Sequence, residues 1–273
     1  MTNSWDWEGH EISWQLSGEH NQGSCAILFI HGFGACKEHW RYNQHVISNL
    51  TNFSCYSIDL IGFGKSSQPI SQLSYEKIQS KAFQYCFDNW SRQIVDFCTK
   101  IINKPTILIG NSIGGIIALN ASLKLKDQCK RVILIDCAQR TMDDKRLTEQ
   151  SLIMRLLRPV LKVSVRQRFL SRNIFKTAAN KDFITKILKL AYPSGKNINE
   201  ELIHILYIPT QRKKASEAFR GFINLFDDHL APDLLKNLQI PVNLIWGEKD
   251  PWEPIKEAQK WEKTFDCIKS LDV

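Results

Sequence analysis

The chain predicts an α/β protein: a mostly parallel sheet with helices on both faces, and a helical cap inserted between two core strands. Three observations carry this. Short apolar runs rich in β-branched and aromatic residues stand at 26–30, 55–58, 106–109, 131–136 and 242–247, the length and composition of buried strands. Helical apolar spacing fills about 84–102 and the stretch after Ser112, and strands alternating with helices imply parallel crossovers. From about Gln139 to Ala231 no buried-strand run occurs, and the strand pattern resumes at Val242.

The elements follow in order. Residues 5–17 read as a hairpin. The run at 26–30 ends at His31-Gly32-Phe33-Gly34, the next ends at Asp59, and the fifth leads into Asp250. Ligands of open α/β sheets bind at the carboxyl ends of strands, where His31, Asp59 and Ser112 all fall. The inserted block is expected to sit over those ends.

Composition narrows the class. With 43% hydrophobic residues, 8 Trp and 14 Phe in 273 residues, the chain can bury a large core. No apolar run approaches the roughly 20 residues of a membrane span, and the start, Met1-Thr2-Asn3-Ser4-Trp5-Asp6, lacks the basic and apolar stretches of a secretory signal. The eight cysteines form no Cys-x-x-Cys pair and no metal-spaced cluster. Reduced thiols acting as small core residues, and hence a cytoplasmic setting, are expected.

The net charge of +8 is unevenly spread: residues 139–214 hold 17 Lys/Arg against 6 Asp/Glu, so the basic character belongs to the cap. Around 151–172, apolar clusters alternate with arginine and lysine, and Pro159 is expected to kink or divide the helix there. This element reads two ways, as a solvated cap face packing its apolar side on the core, or as a peripheral contact with an anionic membrane. No nucleic-acid recognition module is present.

The chemistry centres on Gly110-Asn111-Ser112-Ile113-Gly114-Gly115. A serine at a sharp turn between a buried strand and a helix exposes its hydroxyl, and the next N–H sits at the helix start, where an oxyanion is stabilised. Ser112 is the candidate nucleophile. The N–H groups of Ile113 and Phe33 are the candidate oxyanion donors. Asp250, just past the resumed strand, is the candidate acid that orients a base, with Asp136 as the alternative.

Those motifs, with Asp59-Leu60-Ile61-Gly62-Phe63-Gly64-Lys65-Ser66 and Trp246-Gly247-Glu248-Lys249-Asp250-Pro251-Trp252-Glu253-Pro254, resemble the α/β-hydrolase superfamily in its order Ser…Asp…His. Within it, the chain resembles the chlorophyll dephytylase and pheophytinase-like branch of oxygenic phototrophs. The resemblance implies an α/β-hydrolase fold, with a core over 1–138 and 232–273 and the basic helical cap over 139–231. It also implies hydrolysis of an apolar ester, in its sharpest form the phytyl ester of chlorophyll-type pigments, with no metal or organic cofactor and a peripheral position at a photosynthetic membrane. It leaves Asp59 and the Gly62/Gly64 loop a structural role. Serine at 112 sets the chain apart from haloalkane dehalogenases and epoxide hydrolases, whose nucleophile is an aspartate.

The family's histidine follows the last strand. Here 268–273 reads as the start of that strand, and none of the seven histidines (10, 20, 31, 39, 45, 204, 229) follows Asp250. The expectation is a chain that stops short of its base. His229, among acidic residues, reads as a surface histidine. Two alternatives to an ester hydrolase stay open: a carbon–carbon bond hydrolase, since Asn111 flanks the serine, and a non-catalytic protein binding an apolar ligand.

Overall fold

The computed structural model describes residues 2–77 and 79–273. The chain opens with β1 (Thr2–Trp7) and β2 (His10–Ser17), an antiparallel hairpin in which Trp7 faces His10. Its turn places Glu8 and Gly9 at φ of 55° and 78°, the positive-φ pair that matches the strands' twist. There follow β3 (Ala26–Ile30), α1 (Arg41–Thr51) and β4 (Ser54–Ile58). Two-residue strands β5 (Ile70–Ser71) and β6 (Ala82–Phe83) pair off to one side. Next come α2 (Phe87–Phe97), β7 (Thr106–Asn111), α3 (Ile113–Leu125) and β8 (Cys129–Ile135).

The main sheet runs β1-β2-β4-β3-β7-β8, then β9 (Val242–Ile245) and β10 (Ile268–Asp272). Only β1–β2 and β2–β4 are antiparallel, as expected for a mostly parallel sheet. Every residue of β3 and β4 is buried, because helices cover both faces. From β3 the chain passes to β4 on one side and later to β7 on the other. The crevice between the carboxyl ends of β3 and β7 is therefore the switch point where ligands bind. The last helix, α10 (Ile255–Thr264), joins β9 to β10.

The helix expected over 84–102 is α2 followed by a π-helical turn at Cys98–Ile102. Between β8 and β9, five helices make the cap: α4 (Leu152–Arg166), α5 (Arg168–Ala178), α6 (Lys181–Ala191), α7 (Glu200–Thr210) and α8 (Ala215–Ile223), after which α9 (Ala231–Leu235) returns to the core and packs on α3. Two expectations for the cap change. Pro159 does not divide α4, which runs through it; proline already holds a helical φ, and the lost bond lies within a long helix whose other turns persist. The amphipathic face is also inverted: Arg158 is buried and ion-paired to Asp144, while Leu152, Leu156 and Val160 face solvent.

Candidate active site

Ser112 stands between β7 and α3 at φ 53° and ψ −122°, a sparsely populated conformation for a residue with a side chain. The strain falls on the serine itself; the flanking glycines serve close approach. A Cβ on Gly110 would come within 2.2 Å of the Gly114 carbonyl oxygen, and one on Gly114 within 2.4 Å of that of Ile30. Three bonds hold the turn. Ser112 N–H donates to Ile135 O at 3.0 Å, Ala138 N–H donates to Ser112 O at 3.1 Å, and the Asn111 amide donates to Ile135 O at 3.1 Å. The turn is thereby tied to the end of β8, and Asn111 has a structural task.

Ile113 opens α3, so its N–H is a first-turn donor with no intrahelical acceptor. The loop after β3 comes close on the other side, since a Cβ on Gly32 would meet Ser112 Cβ at 3.1 Å. That brings Phe33 beside the turn, its ring stacked on Phe222 of α8 with centroids 4.0 Å apart. Ser112, the Phe33 loop and Asp250 all line one cavity.

Asp250 accepts the N–H groups of Trp252 and Glu253 on one oxygen, both at 2.8 Å, leaving its other oxygen for a partner. Asp136, at φ 43°, accepts the Gly247 N–H at 2.8 Å. Burial raises its pKa, and the Asp250 charge adds to the rise. Both acids thus stand at the carboxyl ends of adjacent strands, and both line the cavity.

A third carboxyl, Glu253, stands in the Trp246–Pro254 segment, but the sequence assigns it no role. It accepts the Gln139 N–H at 2.7 Å. Burial pushes its pKa up to about 8, with Asp250 and Asp136 adding to the rise. It is mostly protonated at neutral pH. Its only sequence signal was its position three residues after Asp250.

The histidines divide by environment. His31 is fully enclosed: its Nε2 accepts the Leu60 N–H at 3.1 Å and its Nδ1–H donates to Gly32 O at 2.8 Å, a fixed neutral tautomer that braces the loop carrying Phe33. His229 pairs with Asp88 at 3.1 Å, away from the residues lining the cavity. His39 does line it, 3.3 Å from the Tyr192 hydroxyl, and burial lowers its pKa to about 4. Sequence reading passed over it because it precedes the cap that encloses it. Among the described residues no imidazole hydrogen-bonds to Ser112.

Asp59 accepts the backbone N–H groups of Lys37 and Lys65 and the Lys37 ammonium, at 2.7 to 2.8 Å. Cys36, Glu38 and Asp59 converge within 4.8 Å of one another, but the Lys37 ammonium lies 2.9 Å from Glu38 and 2.8 Å from Asp59. With Lys65, 3.1 Å from Glu38, it balances the two carboxylates, so the cluster is an ion-pair network that braces the cavity wall.

The cavity encloses about 770 Å³, within the range of small-molecule sites. Ser112, Asn111, Asp136, Asp250 and Glu253 line it on the polar side; its walls are Phe33 and Phe63 from the core and Ile174, Phe183, Leu188, Phe219 and Phe222 from the cap. Such a site can hold an apolar group against a serine hydroxyl, with carboxyls beside it.

The chain is 25% identical over 241 residues to the "Uncharacterized hydrolase YugF" of Bacillus subtilis (strain 168), covering 88% of this chain and 78% of that protein. It is 31% identical over 111 residues to the "(Lyso)-N-acylphosphatidylethanolamine lipase" of Bos taurus, covering 40% of this chain and 29% of that protein. The structure of a probable hydrolytic enzyme from Pseudomonas aeruginosa PAO1 shares its fold, with a TM-score of 0.76 at 18% identity over 100% of this chain and 86% of that one. The alpha/beta hydrolase fold family matches residues 26–272, and the chain belongs to that family.

Proposed function

We propose that the protein is a serine hydrolase acting on a carboxylic ester of an apolar substrate, through an acyl-enzyme on Ser112. The observation that carries this reading is the strained Ser112 turn opening into a large apolar cavity beside Asp250. Ser112 Oγ attacks the ester carbonyl, and the N–H groups of Phe33 and Ile113 take the oxyanion. The free oxygen of Asp250 orients an imidazole, which takes the serine proton and returns it to the leaving alcohol. Water then repeats the sequence to release the acid. This reading assigns the hydroxyl to Ser112, the acid to Asp250 and the oxyanion donors to Phe33 and Ile113; among the described residues no imidazole hydrogen-bonds to Ser112 or Asp250, so the test supplies one.

The sharper form is hydrolysis of the phytyl ester of chlorophyll-type pigments at a photosynthetic membrane. The sequence resemblance supports it, as do the cavity's volume and its aromatic and aliphatic walls. The name of the lipase relative favours acyl-lipid substrates more generally. Carbon–carbon bond hydrolysis is the alternative reading: the Asn111 amide N–H donates to Ile135 O, and the same side chain lines the cavity beside Ser112.

The test is product analysis with imidazole in the buffer, on a phytylated pigment, a long-chain acyl glycerol and p-nitrophenyl esters of increasing chain length. An ester hydrolase shows turnover that rises with chain length and is lost in Ser112→Ala. Turnover unchanged in that variant would overturn the reading.

A further inference from the structure

Helix α4 is built inside out. Two of its cations face the protein: Lys162 and the buried Arg158 both pair with Asp144, at 2.6 and 2.7 Å. Its large apolar side chains face outward. Leu152, Ile153, Leu156, Leu157, Val160 and Val163 are each more than half exposed, Leu156 the most at 79%. They fall at the i, i+3, i+4 spacing of one continuous stripe. A monomeric soluble protein seldom presents such a patch without a partner.

The stripe leads to the cavity. α5 packs against α4, and its exposed Phe169 and Leu170 precede Ile174, which both faces solvent and lines the cavity wall. Phe183 and Ile187 of α6 do the same. An apolar track thus runs from α4 to the cavity mouth.

Charge selects the partner. Phe169 shares a helical stripe with Arg172 and Lys176, three and seven residues on. With Arg212 and Lys213 from the end of α7, these border a recess of about 280 Å³ that has no acidic lining residue. Among the described residues, Arg172, Lys176 and Lys213 form no ion pair. An apolar stripe bordered by unpaired cations fits the boundary between lipid acyl chains and phosphate headgroups.

We infer that the cap docks on an anionic phospholipid bilayer, with the α4 stripe entering the acyl boundary and the recess taking lipid phosphate, so that apolar ester passes from lipid into the cavity. What is drawn in rests on the ester reading above; the docking itself does not.

The experiment is sedimentation with sucrose-loaded vesicles of phosphatidylcholine alone or with 30% phosphatidylglycerol (about one lipid in three, a strongly anionic surface). It compares the wild type with two variants at exposed positions, Leu156→Glu/Val160→Glu and Arg172→Gln/Lys176→Gln/Lys213→Gln. The wild type should bind the anionic vesicles and release them at high salt. The apolar variant should lose at least tenfold in partitioning. The charge variant should lose on the order of 100-fold on anionic vesicles, and a control variant, Lys186→Gln/Lys189→Gln, far less. Hydrolysis of a short soluble ester should be unchanged in every variant, so a silent Ser112 with intact docking would fault the ester reading alone. Equal sedimentation with neutral and anionic vesicles would overturn the inference. So would concentration-dependent self-association abolished by Leu156→Glu/Val160→Glu, which would assign the stripe to a second copy of the chain.

Discussion

Glu253→Gln separates the energetic demand of the carboxyl cluster from its shape. Glu253 has its pKa raised from 4.5 to about 8, chiefly by burial. The unfolded chain ionises this group near its ordinary value, while the folded chain keeps it protonated. Stability from this group is therefore complete below about pH 4.5 and declines as pH rises toward 8. The difference in pKa corresponds to about 5 kcal/mol at high pH and about 3 kcal/mol at pH 7. Partial solvent contact reduces the working figure to about 2–3 kcal/mol above pH 8. Glutamine keeps an oxygen to accept the Gln139 N–H and has no proton to lose. Urea unfolding at a series of pH values should give equal stabilities near pH 4 and a variant more stable by about 2–3 kcal/mol at pH 8 and above. His39, whose lowered pKa of about 4 makes it destabilising as pH falls below 6.5, is present in both proteins and cancels in the difference. Parallel stability curves for the two proteins would refute the reasoning.

Three further substitutions probe the frame around the site. Gly114→Ala places a methyl 2.4 Å from the Ile30 backbone oxygen, where neither partner can yield; a loss of about 3 kcal/mol or more in denaturant unfolding is expected. Ser112→Gly removes the side chain from a strained φ/ψ, so the protein should gain about 1–2 kcal/mol; a loss would show the turn is unstrained. Lys37→Met leaves the buried Asp59 without its cation, while Glu38 keeps Lys65, and should lose about 3–5 kcal/mol in denaturant unfolding at pH 7.

The core was legible because its signals are local. The run at 106–109, the glycines around Ser112 and the apolar faces of α3 lie within twenty residues, and one strand–turn–helix unit satisfies them all. The position of Asp250 beside the cavity was legible from its place after a resumed strand. The cap was legible in composition and not in orientation. Helical periodicity shows that α4 has two faces, and it is Asp144, eight residues before the helix starts, that turns the Arg158 and Lys162 face inward. Glu253 and His39 escaped for a similar reason: one owes its environment to Gln139, 114 residues away, and the other meets Tyr192, 153 residues away. Separation of that order leaves no local pattern to read.

In the proposed function Ser112 is a nucleophile served by Asp250 and by the N–H groups of Phe33 and Ile113. Peptide mass mapping after exposure to a fluorophosphonate probe, at rising imidazole concentration, tests it most directly. The account predicts an adduct on Ser112 that forms faster with imidazole, is slowed in Asp250→Asn and is absent in Ser112→Ala. An adduct on another residue, or labelling that survives Ser112→Ala, would contradict it.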